Sequence, residues 1–152
     1  MDNHSILIVG FGLIGRSLFQ LIPKSNLVFK AHRNVDNNNP NEIYLDLKDL
    51  SSFNCPKKIS TAYICASITN KKYCEENPEE SYIVNVSNTL KLVKILNEQD
   101  IFVVFLSSVD VFSGERKKYR IKDKTNATSV YGKLKEEVEK NLDNNLQCSI
   151  IR

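Results

Sequence analysis

Glycine is scarce in this chain of 152 residues: there are five, about half the usual share of roughly 7%. So little glycine, with only four prolines, excludes collagen-like and low-complexity classes. Material for a metal site is short as well. The only histidines are His4 and His32, and Cys55, Cys65, Cys74 and Cys148 form no C-x-x-C pair, which argues against zinc. The plain reading of these thiols is that they stay reduced in a cytosolic protein. No segment approaches the roughly 20 apolar residues of a membrane span. The most apolar stretch, Ile6 to Ile22, is broken by Arg16, Ser17 and Gln20. Met1-Asp2-Asn3-His4 lacks the basic start of a signal peptide. A cytoplasmic protein without a membrane partner is expected.

A broad positive field is also missing. The net charge is +3, and its source is one segment, Glu115 to Lys124 (ERKKYRIKDK), with six basic and two acidic residues. The rest of the chain is nearly neutral, so no nucleic-acid partner is expected. What remains is ordinary for one globular domain over residues 1–152, with 41% apolar and 26% charged residues.

Three of the five glycines fall in one hexapeptide, Gly10-Phe11-Gly12-Leu13-Ile14-Gly15. It follows the apolar run Ile6 to Val9, read as a buried strand, and precedes a helical pattern from Leu13 to Leu21. In a G-x-G-x-x-G turn the first glycine permits the tight bend. The second lets the backbone approach a pyrophosphate, and the third lets the helix pack on the sheet. The helix N-terminus then faces the anion.

Apolar runs and helical patterns continue to alternate. Strands are expected over Leu27 to Ala31, Glu42 to Leu45, Thr61 to Ala66, Ile101 to Leu106 and from Cys148. A helical turn is expected over Leu47 to Phe53, and a polar loop up to Pro78. The apolar spacing of Ile83, Val86, Leu90, Val93 and Leu96 predicts a long helix, with Pro78, Glu79 and Glu80 at its start. A last helix carries Tyr131, Leu134, Lys135, Val138 and Leu142. Strands alternating with helices predict an α/β fold, a doubly wound parallel sheet with helices on both faces.

Where a dinucleotide ribose is bound, an acid suits NAD and an arginine suits the 2′-phosphate of NADP. Lys30-Ala31-His32-Arg33-Asn34 holds no acid, so NADP is favoured, with Arg33 as phosphate partner and His32 secondary. Asp36 as a ribose ligand would restore NAD. Downstream, Tyr131 and Lys135 form Tyr-x-x-x-Lys on one helix face. A nearby ammonium is expected to lower the phenol pKa from about 10 and make Tyr131 a proton donor or acceptor. Ser108, at the end of an apolar strand, is placed to hydrogen-bond the reacting oxygen.

With these residues in place, the chain resembles the N-terminal half of an extended short-chain dehydrogenase/reductase. Its likeness is to the sugar-nucleotide branch, which includes dTDP-4-dehydrorhamnose reductases and nucleotide-sugar epimerases. The matching stretches are ILIVGFGLIG, YLDL, YICAS, NPEESYIVNVSNT, FLSSVDVFSG, YGKLKEE and SIIR, in the family's order and across essentially the whole chain. The resemblance implies a Rossmann-type domain and a catalytic set of Ser108, Tyr131 and Lys135. Lys135 would also hold the nicotinamide ribose. Asp46 and Leu47 would lie beside the adenine, and Cys65, Ala66 and Ser67 would pass over the cofactor. Asn85 would play a mainly structural part.

Departures from the family pattern are plain. Asn88 stands where a glycine is usual, and the loop before Tyr131 has no proline. The resemblance implies a continuation past the strand matching Ser149 to Arg152 into a smaller substrate domain, which is expected to be absent here. The expected activity is NADP-preferring reduction or epimerisation of a nucleotide-linked keto sugar. The alternatives are a non-catalytic dinucleotide-binding regulatory subunit and a truncated, inactive fragment. A homodimer, or a partner supplying the missing substrate domain, is expected; for a truncated chain the expectation is poor solubility or dimerisation through the uncovered sheet edge. The basic loop has two readings, a face toward a substrate diphosphate or partner, and a solvated loop, with solvation the default.

Overall fold

The computed structural model describes residues 5–142 and 147–152; the leading Met1 to His4 lies outside them. Six strands form one parallel sheet: β1 (Ser5–Val9), β2 (Leu27–His32), β3 (Glu42–Tyr44), β4 (Ile59–Ile64), β5 (Phe102–Leu106) and β6 (Cys148–Ile151). Their spatial order is β3-β2-β1-β4-β5-β6. The helices are α1 (Leu13–Leu21), α2 (Lys71–Glu76), α3 (Pro78–Tyr82), α4 (Asn88–Asn97) and α5 (Val130–Leu142). A π-helical turn, Ile83–Ser87, joins α3 to α4, and a 3₁₀ turn, Val109–Val111, follows β5.

Burial explains the strand sequences. Every residue of β1 is buried, as its unbroken apolar run demands for a central strand covered on both faces. On one face Phe105, Ile64 and Val103 pack with Leu92 and Leu96 of α4 and Val138 and Leu142 of α5. Fully burying side chains of this size contributes roughly 1.5–3 kcal/mol each. On the other face Ile6, Ile8 and Val28 meet Leu18 of α1 and the neighbouring Ile22. The doubly wound parallel architecture expected from the alternation is the one observed.

Local expectations failed in four places. Leu47 to Phe53 is not helical but a pair of tight turns beside an Asp46–Asp49 bridge. Asp46 Oδ1 accepts from Lys48 N at 2.9 Å and Asp49 Oδ1 from Ser51 N at 2.9 Å, and such side-chain bonds compete with a helix. The supposed polar loop before Pro78 contains α2, because the Asn70 side chain caps it by accepting from Tyr73 N at 3.0 Å. The long helix after Pro78 is interrupted at Ile83–Ser87, where Thr89 Oγ1 donates to Val84 O at 2.9 Å. The strand expected over Thr61 to Ala66 ends at Ile64, since Cys65 and Ala66 turn across β1.

The basic segment is pinned from within. Phe112 and Tyr119 stack with centroids 4.1 Å apart, and Arg116 pairs with Asp123 at 3.4 Å. Arg152, bonded to Glu139 at 2.7 Å, donates to Ile121 O at 3.2 Å. The lysines of this segment are exposed, which fits the solvated reading. Among the described residues no helix is long and apolar enough to cross a membrane.

Gly132 seats α5 on the 3₁₀ turn. A Cβ there would strike the carbonyl oxygen of Asp110, which is backbone and cannot swing aside. At Gly12 a Cβ would meet nothing within 4 Å. In urea unfolding, Gly132→Ala is expected to lose about 1–3 kcal/mol of stability through overpacking, whereas Gly12→Ala stays within ~0.5 kcal/mol of the parent. Equal losses would contradict this packing account.

Candidate functional site

The strand order reverses between β1 and β4, and open α/β sheets bind ligands at such a point beyond the strands' carboxyl ends. Here the two strand ends touch. Val9 O accepts from Cys65 N at 2.8 Å and from Ala66 N at 2.9 Å. Gly10 has φ +90°, and a Cβ on it would lie 2.5 Å from Ala66 N, so only glycine fits. A Cβ on Gly15 would strike the Gly10 carbonyl oxygen, so the third glycine brings α1 onto the turn. Gly12 is the helix N-cap, with no side-chain cap bond, and no acid occupies the first turn. The leading amides of α1 and the open space at Gly12 fit an anion such as a pyrophosphate.

A cleft of about 620 Å³ opens over this turn. Of the expected cofactor residues, Gly10, Gly12, His32, Arg33, Asp46, Leu47, Cys65, Ala66 and Ser67 line it. Leu13, Ile14 and Gly15 do not: Leu13 and Ile14 are exposed and Gly15 is buried against the turn. Asp36 is not in the wall; its Oδ1 accepts from Asn38 N at 2.9 Å. His32 is committed elsewhere. Its ring stacks on Phe11, with centroids 5.6 Å apart, and its Nε2 lies 3.5 Å from Glu42 Oε2 without a hydrogen bond. Burial lowers its pKa, against the pull of Glu42, so the ring is mainly neutral near pH 7. Arg33 is exposed at the rim.

Sequence reasoning missed Arg16, Lys48, Tyr73 and Glu80, which also line the cleft. Lys48 Nζ lies 2.7 Å from Glu80 Oε1, and Tyr73 Oη donates to the same oxygen at 3.0 Å. Lys48 first, then Tyr73, holds the Glu80 carboxyl below the usual range. Arg16 followed directly on the glycine motif and was legible. The other three come together only through the fold.

Asn85 joins the cleft to the helices. Only 1% exposed, it accepts from Ile68 N at 2.8 Å and from Ser67 Oγ at 3.0 Å, and donates to Ile68 O at 2.9 Å. The π-helical turn aims it inward. Asn88, where the family has glycine, donates to Leu47 O at 2.7 Å and ties α4 to the Asp46 turn.

Ser108, Tyr131 and Lys135 do not line the cleft, but they cluster next to it. The Tyr131 phenol is faced by the hydroxyls of Ser108 and Ser67, and Ser67 is a cleft residue. Lys135, 3% exposed, donates from Nζ to Leu106 O at 3.1 Å and sits 6.0 Å from the Tyr131 ring centroid. The expected depression of the phenol by this ammonium is absent. Burial pushes the Tyr131 pKa up, and the Ser108 and Ser67 hydroxyls only temper the rise. Burial also drives Lys135 down to about 8, despite the opposing pull of Cys65 and Glu139.

A parallel sheet in this order, with a glycine turn at its switch point, defines a Rossmann-type dinucleotide-binding fold. The RmlD substrate binding domain family matches residues 4–152, and the chain belongs to that family. It is 28% identical to methionine adenosyltransferase 2 subunit beta of Bos taurus over 166 residues, covering 100% of this chain and 47% of that protein. The crystal structure of a hypothetical dTDP-4-dehydrorhamnose reductase from Sulfolobus tokodaii superposes with a TM-score of 0.84 at 26% identity, over 97% of this chain and 55% of that one. MoeE5 in complex with UDP-glucuronic acid and NAD superposes with a TM-score of 0.82 at 25% identity, over 96% of this chain and 52% of that one. The chain thus spans about half the length of these relatives.

The lowered Lys135 pKa makes a thermodynamic prediction. Between about 8 and 10.5 the unfolded chain holds a proton on this lysine that the folded chain has released. Unfolding stability therefore rises with pH across that window, by at most ~1.4 kcal/mol per unit for this group. Denaturant titrations are expected to show the parent gaining on Lys135→Met from pH 8 to 10; parallel curves would refute it.

Proposed function

We propose that this domain binds NADP and carries the proton-exchanging residues of an oxidoreductase acting on a nucleotide-linked keto sugar. The observation that supports it best is the juxtaposition of Ser108 and Tyr131 with Ser67, at the margin of a cleft built on the glycine turn. The amides of α1 beyond Gly12 would hold the pyrophosphate, and Arg33 the 2′-phosphate, a role for which neutral His32 is poorly suited. The Asp46–Leu47 turn, anchored by Asn88, would flank the adenine. Bound NADP would supply the hydride.

The residues do the rest. Tyr131 keeps its proton at neutral pH because burial raises its pKa, so it is ready to donate to a carbonyl oxygen being reduced. Ser108, whose Oγ accepts from Asp110 N at 3.1 Å, is fixed beside it and retains its own proton for the same oxygen. Lys135 would meet the ribose hydroxyls and support the phenolate as it forms. A second reading, a non-catalytic dinucleotide-binding regulatory subunit, draws support from the match of this chain to 47% of a protein named as a subunit. The choice among sugars, and between reduction and epimerisation, belongs to residues beyond this set.

Fluorescence titration tests the cofactor. NADP is expected to bind more tightly than NAD, and Arg33→Ala to weaken NADP by ~tenfold while leaving NAD unchanged. Binding of neither dinucleotide at millimolar concentration would sink the reading. Tyr131→Phe is expected to keep NADP affinity and lower turnover of nucleotide-linked keto sugars by about 10²–10⁴. Unchanged turnover would favour the subunit reading.

A further inference from the structure

Arg16, Arg33 and Lys48 all line the cleft, and each is held differently. Lys48 is engaged by Glu80 at 2.7 Å. Arg33 stands exposed at the rim. Arg16 is exposed as well, yet it is tethered. Its Nε donates to Phe11 O at 3.0 Å, and its guanidinium carbon lies 5.9 Å from the Phe11 ring centroid. The side chain therefore folds back from α1 across the glycine turn. The same Phe11 ring stacks on His32, at the end of β2, with centroids 5.6 Å apart. Phe11 thus brings Arg16 to the corner where β2 runs out into Arg33 and Asn34, both of them cleft residues.

A guanidinium carries five N–H donors in a rigid fork. Arg16 commits only Nε to Phe11 O, and among the described residues it forms no ion pair. Glu42, the acid beside His32, is engaged by Lys30 at 2.6 Å and by the Asp36 amide at 2.8 Å. The Nη donors of Arg16 are thus anchored through Nε and lack a carboxylate, at the corner of a cleft.

We propose that Arg16 is a specificity residue for a phosphate monoester at this corner, a second arm that holds the 2′-phosphate of NADP together with Arg33. This role rests on the NADP reading and deepens it, by adding a group from α1 to the one that follows β2. The two arms are unequal. Arg33 has to be ordered when the phosphate arrives, and ordering a long side chain costs entropy. Arg16 is ordered beforehand by Phe11, so its fork makes charge-assisted contacts with a phosphate at less loss. NAD presents only a hydroxyl there and gains far less. The leading amides of α1 stay available for the pyrophosphate, so the two anionic groups do not compete for donors.

The glycine turn does not depend on this tether. Gly10 N donates to Ala31 O at 2.8 Å, and Val9 O accepts from Cys65 N and Ala66 N, all through backbone atoms. Replacing the Arg16 side chain leaves those bonds in place, and NAD affinity reports on whether the turn survives.

The test is fluorescence titration of the full chain with NADP and with NAD. Arg16→Gln is expected to weaken NADP by ~tenfold and to leave NAD unchanged. The double variant Arg16→Gln, Arg33→Ala is expected to bind NADP no more tightly than NAD. Equal loss of both dinucleotides in Arg16→Gln would assign the arginine to the pyrophosphate or to the turn, and overturns the proposal. A parent that prefers NADP, with the same preference in Arg16→Gln, overturns it while leaving the proposed function standing. A parent that binds neither dinucleotide overturns both.

Discussion

One carbonyl oxygen organises this molecule. Val9 O, at the end of the central strand, accepts two amides, Cys65 N and Ala66 N, from the neighbouring strand's exit. This double bond pattern pulls the β4 loop across the end of β1, so close that residue 10 has to be glycine. The pyrophosphate turn, the floor of the cleft and the approach of α1 all follow from that crossing. β1 and β4 run parallel, but the chain passes from their ends toward opposite edges of the sheet, and the cleft is the space between.

The same loop is held from above by Asn85. Its position in a π-helical turn is a departure from regular helix geometry, stabilised by two bonds to the Ile68 backbone. Through Ser67 this clamp reaches Tyr131. The glycine-turn cleft and the Ser108–Tyr131 cluster are thus not joined by chance proximity. They share a loop, and a shift of that loop would move both.

Lys135 shows the opposite relation, a buried cation held against stability. Burial alone brings its pKa to about 8, so keeping it charged at neutral pH costs free energy. The Leu106 carbonyl, the face of Phe105 at 4.6 Å and the pull of Cys65 and Glu139 compensate it only in part. Such an uncomfortable cation is the sort of locally unfavourable choice that functional sites retain. It also explains why the tyrosine next to it is not acidic: low polarity raises the phenol while it weakens the ammonium.

Much of this was legible in the residues. The apolar runs and the G-x-G-x-x-G turn determined the parallel sheet and the place of the cleft, and the Tyr131–Lys135 spacing put those two side chains on one helix face beside it. These are short-range or periodic signals, and backbone sterics and burial act on them directly. The tertiary structure decided the rest. It placed Asp36 outside the cleft and Glu80, Tyr73 and Lys48 in its wall, turned Ser67 toward Tyr131, and reversed the expected direction of the phenol's pKa. Those outcomes depend on desolvation and on contacts between residues far apart in the chain, such as Asn88 with Leu47, and no local pattern encodes them.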